Sequence, residues 1–164
     1  MESLVVAVAQ YLLFAILLGA AVTWLFLSRQ DKVALAVQGI VAVVVAVVLI
    51  KLAAASYVDP RPFVVNPSVK PLFPHPADNG FPSDHTAMGA TVALLVMMYR
   101  RWLGVGLLAA SLLVGVARVA AHVHHIQDIA AGALIAVVAV GIAAAIWGWA
   151  RLRLPRRLAW LAAA

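Results

Sequence analysis

Three short polar stretches in an otherwise apolar chain carry the residues able to do chemistry. In the last of them Arg118 is followed after five residues by His124 and after three more by Asp128. On a helix, residues four apart share a face, so the Asp128 carboxylate can fix the His124 tautomer and leave the other ring nitrogen free as a nucleophile. A structural His–Asp pair at a helix start has the same spacing, and Arg118 tips the balance. Its planar fork suits phosphate oxygens, and an idle guanidinium between two apolar segments is costly. The middle stretch, Pro82-Ser83-Asp84-His85, reads as a helix start, with Ser83 as N-cap and first-turn N–H groups open to an anion. His85 has no capping duty and stands where it can protonate a leaving oxygen. Asp84 would repel a phosphate, so its side chain is expected to turn away toward Lys51 or an arginine while its N–H serves the ligand. The first stretch, Arg61-Pro62, supplies a second fork on a fixed backbone. Lys51 is either an interfacial anchor or a further phosphate ligand.

These groups must be positioned by elements compatible with lipid. The chain has 164 residues, 66% hydrophobic and 11% charged, against roughly 25% charged in soluble domains. Such a composition implies an all-α, polytopic membrane bundle forming one domain over 1–164, because lipid tolerates only helices or closed barrels. Five apolar segments are each long enough to span, at about 4–27, 33–55, 83–99, 102–121 and 128–149. The first has only Met1-Glu2-Ser3 before it and is too long for a signal-peptide core, so it reads as a permanent helix. No cysteine is present, so there is neither a disulfide framework nor a thiolate metal site.

The one long connection, 58–81, holds six of the eight prolines. It is stiff, and Phe63, Phe73 and Phe81 suggest packing at the membrane interface. Alternate connections place Arg29, Lys32, Arg100, Arg101, Arg151, Arg153, Arg156 and Arg157 on one side, and Lys51, Arg61, Lys70 and Arg118 on the other. The richer side should be cytoplasmic, with Trp24, Trp102, Trp147, Trp149 and Trp160 near it. The polar stretches then lie at the extracytoplasmic face and the C-terminus inside. The net charge of +6 owes much to Arg151–Arg157, which suits anionic lipid rather than nucleic acid.

Taken together and in order, Arg61-Pro62, Pro82-Ser83, His85, Arg118, His124 and Asp128 resemble the motifs of the type 2 phosphatidic acid phosphatase superfamily: Lys-x6-Arg-Pro, Pro-Ser-Gly-His and Ser-Arg-x5-His-x3-Asp. The resemblance covers about 51–128. Lys51 lies three residues further from Arg61 than the pattern asks, with Ala54 in the expected place; Asp84 replaces Gly and Ala117 replaces Ser. Asp59-Pro60-Arg61-Pro62-Phe63 and Phe81–Thr86 look most like the bacitracin-resistance type of undecaprenyl-diphosphate phosphatase. The resemblance implies hydrolysis of a lipid diphosphate without metal or cofactor, with His124 as nucleophile, Asp128 orienting it and His85 as acid. Arg61, Arg118, Ser83, Asp84 and Lys51 would hold the phosphate. The motifs handle phosphate and say nothing of tails, so phosphatidic acid and phosphatidylglycerophosphate stay open as substrates. A rival reading makes His122, His124, His125 and Asp128 a metal or proton site of a transporter, which leaves both arginines unexplained. His122 and His125 are expected to pack or be solvated, and His75 to be surface. Oligomeric state is not legible.

Overall fold

The structure is a computed structural model and describes residues 1–153. Arg156, Arg157 and Trp160, counted above toward sidedness, lie outside the described residues. Six helices follow one another: α1 Glu2–Leu25, α2 Arg29–Ser56, α3 Pro62–Val65, α4 Asp84–Tyr99, α5 Arg101–Ala120 and α6 Ile126–Arg151. Among the described residues there is no strand, only an isolated bridge between Pro60 and Asn79. The helices run on past the apolar segments where polar residues make good ends. α2 starts at Arg29 rather than 33 because the Ser28 hydroxyl accepts from the Asp31 N–H at 3.1 Å, satisfying an orphan donor of the first turn. The proline-rich connection is not featureless: Pro62 opens the single turn α3, where proline's missing N–H costs nothing.

Four helices, α1, α2, α5 and α6, are long and apolar enough to cross a membrane. α4, expected as a fifth span, is the exception. Its 16 residues extend about 24 Å at about 1.5 Å per residue, short of a hydrocarbon core of about 30 Å. It need not meet lipid along its length, because it is the central helix, packed on α5, α6, α2 and α1, while α1 and α2 scarcely touch each other. A short helix ringed by longer ones leaves a hollow at one end, and residues 57–83 close over it.

The bundle's interior is built of small residues. Ala9, Ala42, Ala46, Ala87, Ala93, Ala136 and Ala139 are fully buried, whereas Phe14, Leu18, Ile40, Val116 and Leu134 face outward. Lipid is as apolar as leucine, so helix association depends on close backbone approach rather than on hiding bulk. At Gly132 of α6 a Cβ would fall 2.7 Å from the Ser83 carbonyl oxygen, and at Gly89 of α4 it would fall 2.7 Å from Ser111 Oγ on α5. The first approach sets the start of α4 against α6, which is where the site forms, and the second sets α4 against α5.

Candidate active site

The turn between α5 and α6 is the pivot. The α5 helix stops at Ala120, His122 takes a left-handed φ of 61°, and the chain re-enters α6 with His125 as N-cap. His124 therefore stands just outside the helix, and its contact with Asp128 arises from this turn rather than from a shared helical face as expected. Asp128 is the third residue of α6 and fully buried. Its Oδ2 accepts from His124 Nδ1 at 3.1 Å and from the His125 backbone N–H at 2.8 Å. With Nδ1–H directed at the carboxylate, His124 presents an unprotonated Nε2 to the hollow. Burial pushes the His124 pKa below its ordinary value; the bond to Asp128 opposes the shift, and the charges of Arg118 and Arg61 reinforce it.

Both arginines are buried, and each is braced. Arg61 donates from Nε to Asp78 Oδ1 at 2.8 Å and from Nη1 to the Val123 carbonyl at 2.6 Å, which brings Nη1 to 3.5 Å from His124 Nε2. Arg118 comes from the last turn of α5; its Nη1 donates to the Ala9 carbonyl of α1 at 3.3 Å, and its Nη2 lies 3.0 Å from His75 Nε2. Its buried Nε has no partner among the described residues. A buried guanidinium N–H left unpaired is an expensive arrangement unless a ligand fills it.

Arg61, Arg118, His124, His85, Lys51 and Asp84 line one cavity of about 380 Å³ with Ala54, His75 and Asp78. All three polar stretches thus meet at one place, although Ser83 does not face it. Ser83 is completely buried, its hydroxyl accepting from the Thr86 N–H at 3.5 Å and its own N–H donating to the Asp128 carbonyl at 3.0 Å. It caps α4 and ties that helix to α6, so any phosphate contact at this position falls to other groups of the turn. Asp84 is exposed and, among the described residues, makes no ion pair with Lys51 or an arginine; the carboxylate paired with Arg61 is Asp78. Desolvation raises the Asp78 pKa, but hydrogen bond and charge from Arg61 outweigh it and hold the carboxyl below its ordinary value. Lys51 is exposed on the cavity rim without an ion-pair partner among the described residues.

The sequence reading missed three groups. His75, expected at the surface, is half-buried against Arg118, its ring 6.4 Å from that of His124 in an edge-on arrangement. Asp59 accepts at Oδ2 from His125 Nδ1 at 3.1 Å and from Gln127 Nε2 at 2.7 Å. Asp78 braces Arg61. Spacing gave no signal for them, since each meets its partner across more than 15 residues of chain. His122 turns away to the Lys70 carbonyl at 3.1 Å and His125 pairs with Asp59, so the four-ligand set of the transporter reading does not assemble. Among the described residues the donors that do lie within 4.8 Å of one another are Asp59, His125 and Asp128, and each is already engaged in hydrogen bonding.

Fold and cavity together define a class: polytopic helical membrane proteins whose buried arginines and imidazoles face a hollow at one end of the bundle. The chain belongs to the PAP2 superfamily, which it matches over residues 11–153. It is 32% identical over 130 residues to the bacitracin transport permease protein BcrC of Bacillus licheniformis, covering 79% of this chain and 64% of that one. It is 30% identical over 138 residues to the undecaprenyl-diphosphatase BcrC of Bacillus subtilis, covering 84% and 70%. The chain thus spans just under two thirds of the first of these relatives. Among solved structures, Aquifex aeolicus LpxE shares the fold with a TM-score of 0.68 at 28% identity, over 87% of this chain and 84% of that one.

Proposed function

We propose that this protein is a membrane lipid phosphatase that removes the terminal phosphate of an isoprenoid diphosphate, undecaprenyl diphosphate being the preferred candidate, through a phosphohistidine. The observation that carries this reading is the His124 ring, held by Asp128 at Nδ1 with Nε2 beside the Arg61 fork in an anion-sized cavity. His124 Nε2 attacks the terminal phosphorus; the bond to the bridging oxygen breaks, and His85 gives that oxygen a proton. Water then attacks phosphorus, giving its proton back to His85 as the P–N bond breaks and inorganic phosphate leaves. Arg61, Arg118 and the first-turn N–H groups of α4 stabilise the charge on the equatorial oxygens, where most phosphoryl-transfer catalysis originates. Lys51 adds long-range attraction at the rim.

No metal or cofactor is needed in this scheme, because the arginines neutralise the phosphate and the imidazoles carry the protons. Asp59 serves as a positioning residue: it holds His125, whose backbone N–H in turn fixes the Asp128 carboxylate. The excess of lysine and arginine at the opposite end of the bundle supports a cavity on the extracytoplasmic face and a cytoplasmic C-terminus. The relative named an undecaprenyl-diphosphatase supports the diphosphate over phosphatidic acid or phosphatidylglycerophosphate. Phosphate release by the purified protein from the three lipids, in the presence of chelator, tests the reading. Turnover fastest with undecaprenyl diphosphate is expected; a strict metal requirement, or release from none of them, would refute it.

A further inference from the structure

The end of the bundle remote from the active site carries a second polar hollow that the hydrolytic scheme does not use. A cavity of about 240 Å³ opens where the start of α2 meets the ends of α4 and α6. At its floor stands Gln38, 2% exposed in the first half of the spanning helix α2. Its Nε2 donates to the Ala34 carbonyl at 3.2 Å and to the Tyr99 hydroxyl. Its Oε1 is buried without a partner among the described residues. Both amide donors are spent, so the amide orientation is fixed by its neighbours and the orphan is an acceptor. An acceptor buried within an apolar bundle is costly unless something donates to it.

The rest of the lining says what kind of donor fits. Asp31, on the same face of α2 two turns nearer the helix start, supplies the one carboxylate, close enough to act electrostatically on the Tyr99 hydroxyl. Among the described residues of the lining, Arg151 supplies the one positive charge, Trp147 an aromatic face, and Tyr99 an O–H whose oxygen is already accepting from Gln38. The lining is therefore dipolar and neutral in sum, with an acceptor at its floor. A simple anion finds only Arg151 there, and a simple cation leaves Arg151 opposed. A primary ammonium joined through a short link to a phosphate satisfies both: the ammonium donates to Gln38 Oε1 near Asp31, and the phosphate meets Arg151.

We infer that this cavity binds a phosphoethanolamine-type zwitterion, as the headgroup of an aminophospholipid or as the free phosphomonoester. A quaternary ammonium, having no N–H, cannot serve Gln38.

Native mass spectrometry of the full chain in detergent, titrated with phosphatidylethanolamine, phosphatidylcholine and phosphatidylglycerol of identical acyl chains, tests the site. The ethanolamine lipid is expected to be retained at least about tenfold better than the choline lipid, each 1.4 kcal/mol being worth a factor of ten. Gln38→Leu should erase that preference, and Gln38→Glu, which keeps an acceptor, should preserve it. Competition by soluble phosphoethanolamine identifies the free ester as sufficient; failure to compete, with the lipid preference intact, identifies the lipid headgroup. Phosphate release by each variant reports folding, because Gln38 is at the far end of the bundle from the active site. Should Gln38→Leu fail that check, the wild-type comparison and Gln38→Glu decide alone. Equal retention of ethanolamine and choline lipids by the wild type, or an undiminished preference in a folded Gln38→Leu, would overturn the inference.

Discussion

The two walls of the active-site cavity are built differently. On the α5–α6 side every reactive group is held: His124 by Asp128, Asp128 by the His125 N–H, His125 by Asp59, and Arg61 by Asp78 and the Val123 carbonyl. On the side formed by the end of α2 and the start of α4, Lys51, Asp84 and His85 enter the cavity without a side-chain hydrogen bond or ion pair among the described residues. Rigid placement suits a nucleophile that must meet phosphorus along one line. Loose placement suits groups that must admit a large lipid headgroup and trade protons with both a leaving group and water. The braced wall should therefore govern kcat and the unbraced wall substrate capture and proton delivery.

That contrast can be broken residue by residue. His124→Ala removes the proposed nucleophile and should lower phosphate release by about 10⁴-fold or more, to background, with helical content unchanged by circular dichroism. His85→Ala should cost about 10² to 10⁴ with a lipid diphosphate, yet much less with an aryl phosphate, whose leaving group departs without a proton. An equal loss on both substrates would show that His85 is not the acid.

Asp59→Asn, three hydrogen bonds removed from the His124 ring, should lower kcat by about tenfold or somewhat more, as loss of an outer hydrogen-bond partner does at metal sites. KM should hardly move, and the acid limb of the pH profile should shift; an unchanged profile would reduce Asp59 to a structural role. Lys51→Ala should have the smallest effect, a few-fold rise in KM that fades with added salt because the group is exposed. A loss matching that of His124→Ala would put Lys51 on the braced wall after all.

The pH dependence follows from the direction of the His124 shift. Its ordinary pKa is 6.5, and burial, with the nearby arginines, lowers it despite Asp128. In the proposed scheme the reactive form is the neutral ring, so the acid limb of kcat/KM that reports protonation of His124 should have its midpoint below 6.5. An acid limb with its midpoint above 6.5 would mean that the Asp128 bond outweighs burial. The measurement is a kcat/KM profile with undecaprenyl diphosphate in mixed micelles.

The site was legible in the sequence wherever chemistry and spacing coincide. Arg61, His85, Arg118, His124 and Asp128 stand out because ionisable groups are rare in so apolar a chain, and the structure gathers the first four at one cavity with Asp128 buried behind His124. Asp59, His75 and Asp78 were hidden, because they act across loops whose path no local pattern dictates. Ser83 shows the opposite failure: an N-cap serine and a phosphate-binding serine look alike in sequence, and only its burial shows the hydroxyl engaged in capping. For the fold, hydropathy found all five long helices, α4 among them, but not that α4, the shortest of the five, is the central one. Hydropathy reports how apolar a segment is, and a central helix shielded by its neighbours is as apolar as one that crosses lipid. The ends of the helices were missed by a few residues where polar caps such as Ser28 extend them beyond the apolar run.

The most direct test of the central claim is to trap the intermediate. The purified protein is mixed with undecaprenyl diphosphate labelled in its terminal phosphate, quenched within the first turnover in alkali, which preserves phosphohistidine, and the modified residue is located by peptide mass spectrometry. The account predicts label on the peptide carrying His124 and none in His124→Ala. Label on any other residue, or full turnover by His124→Ala, would contradict it.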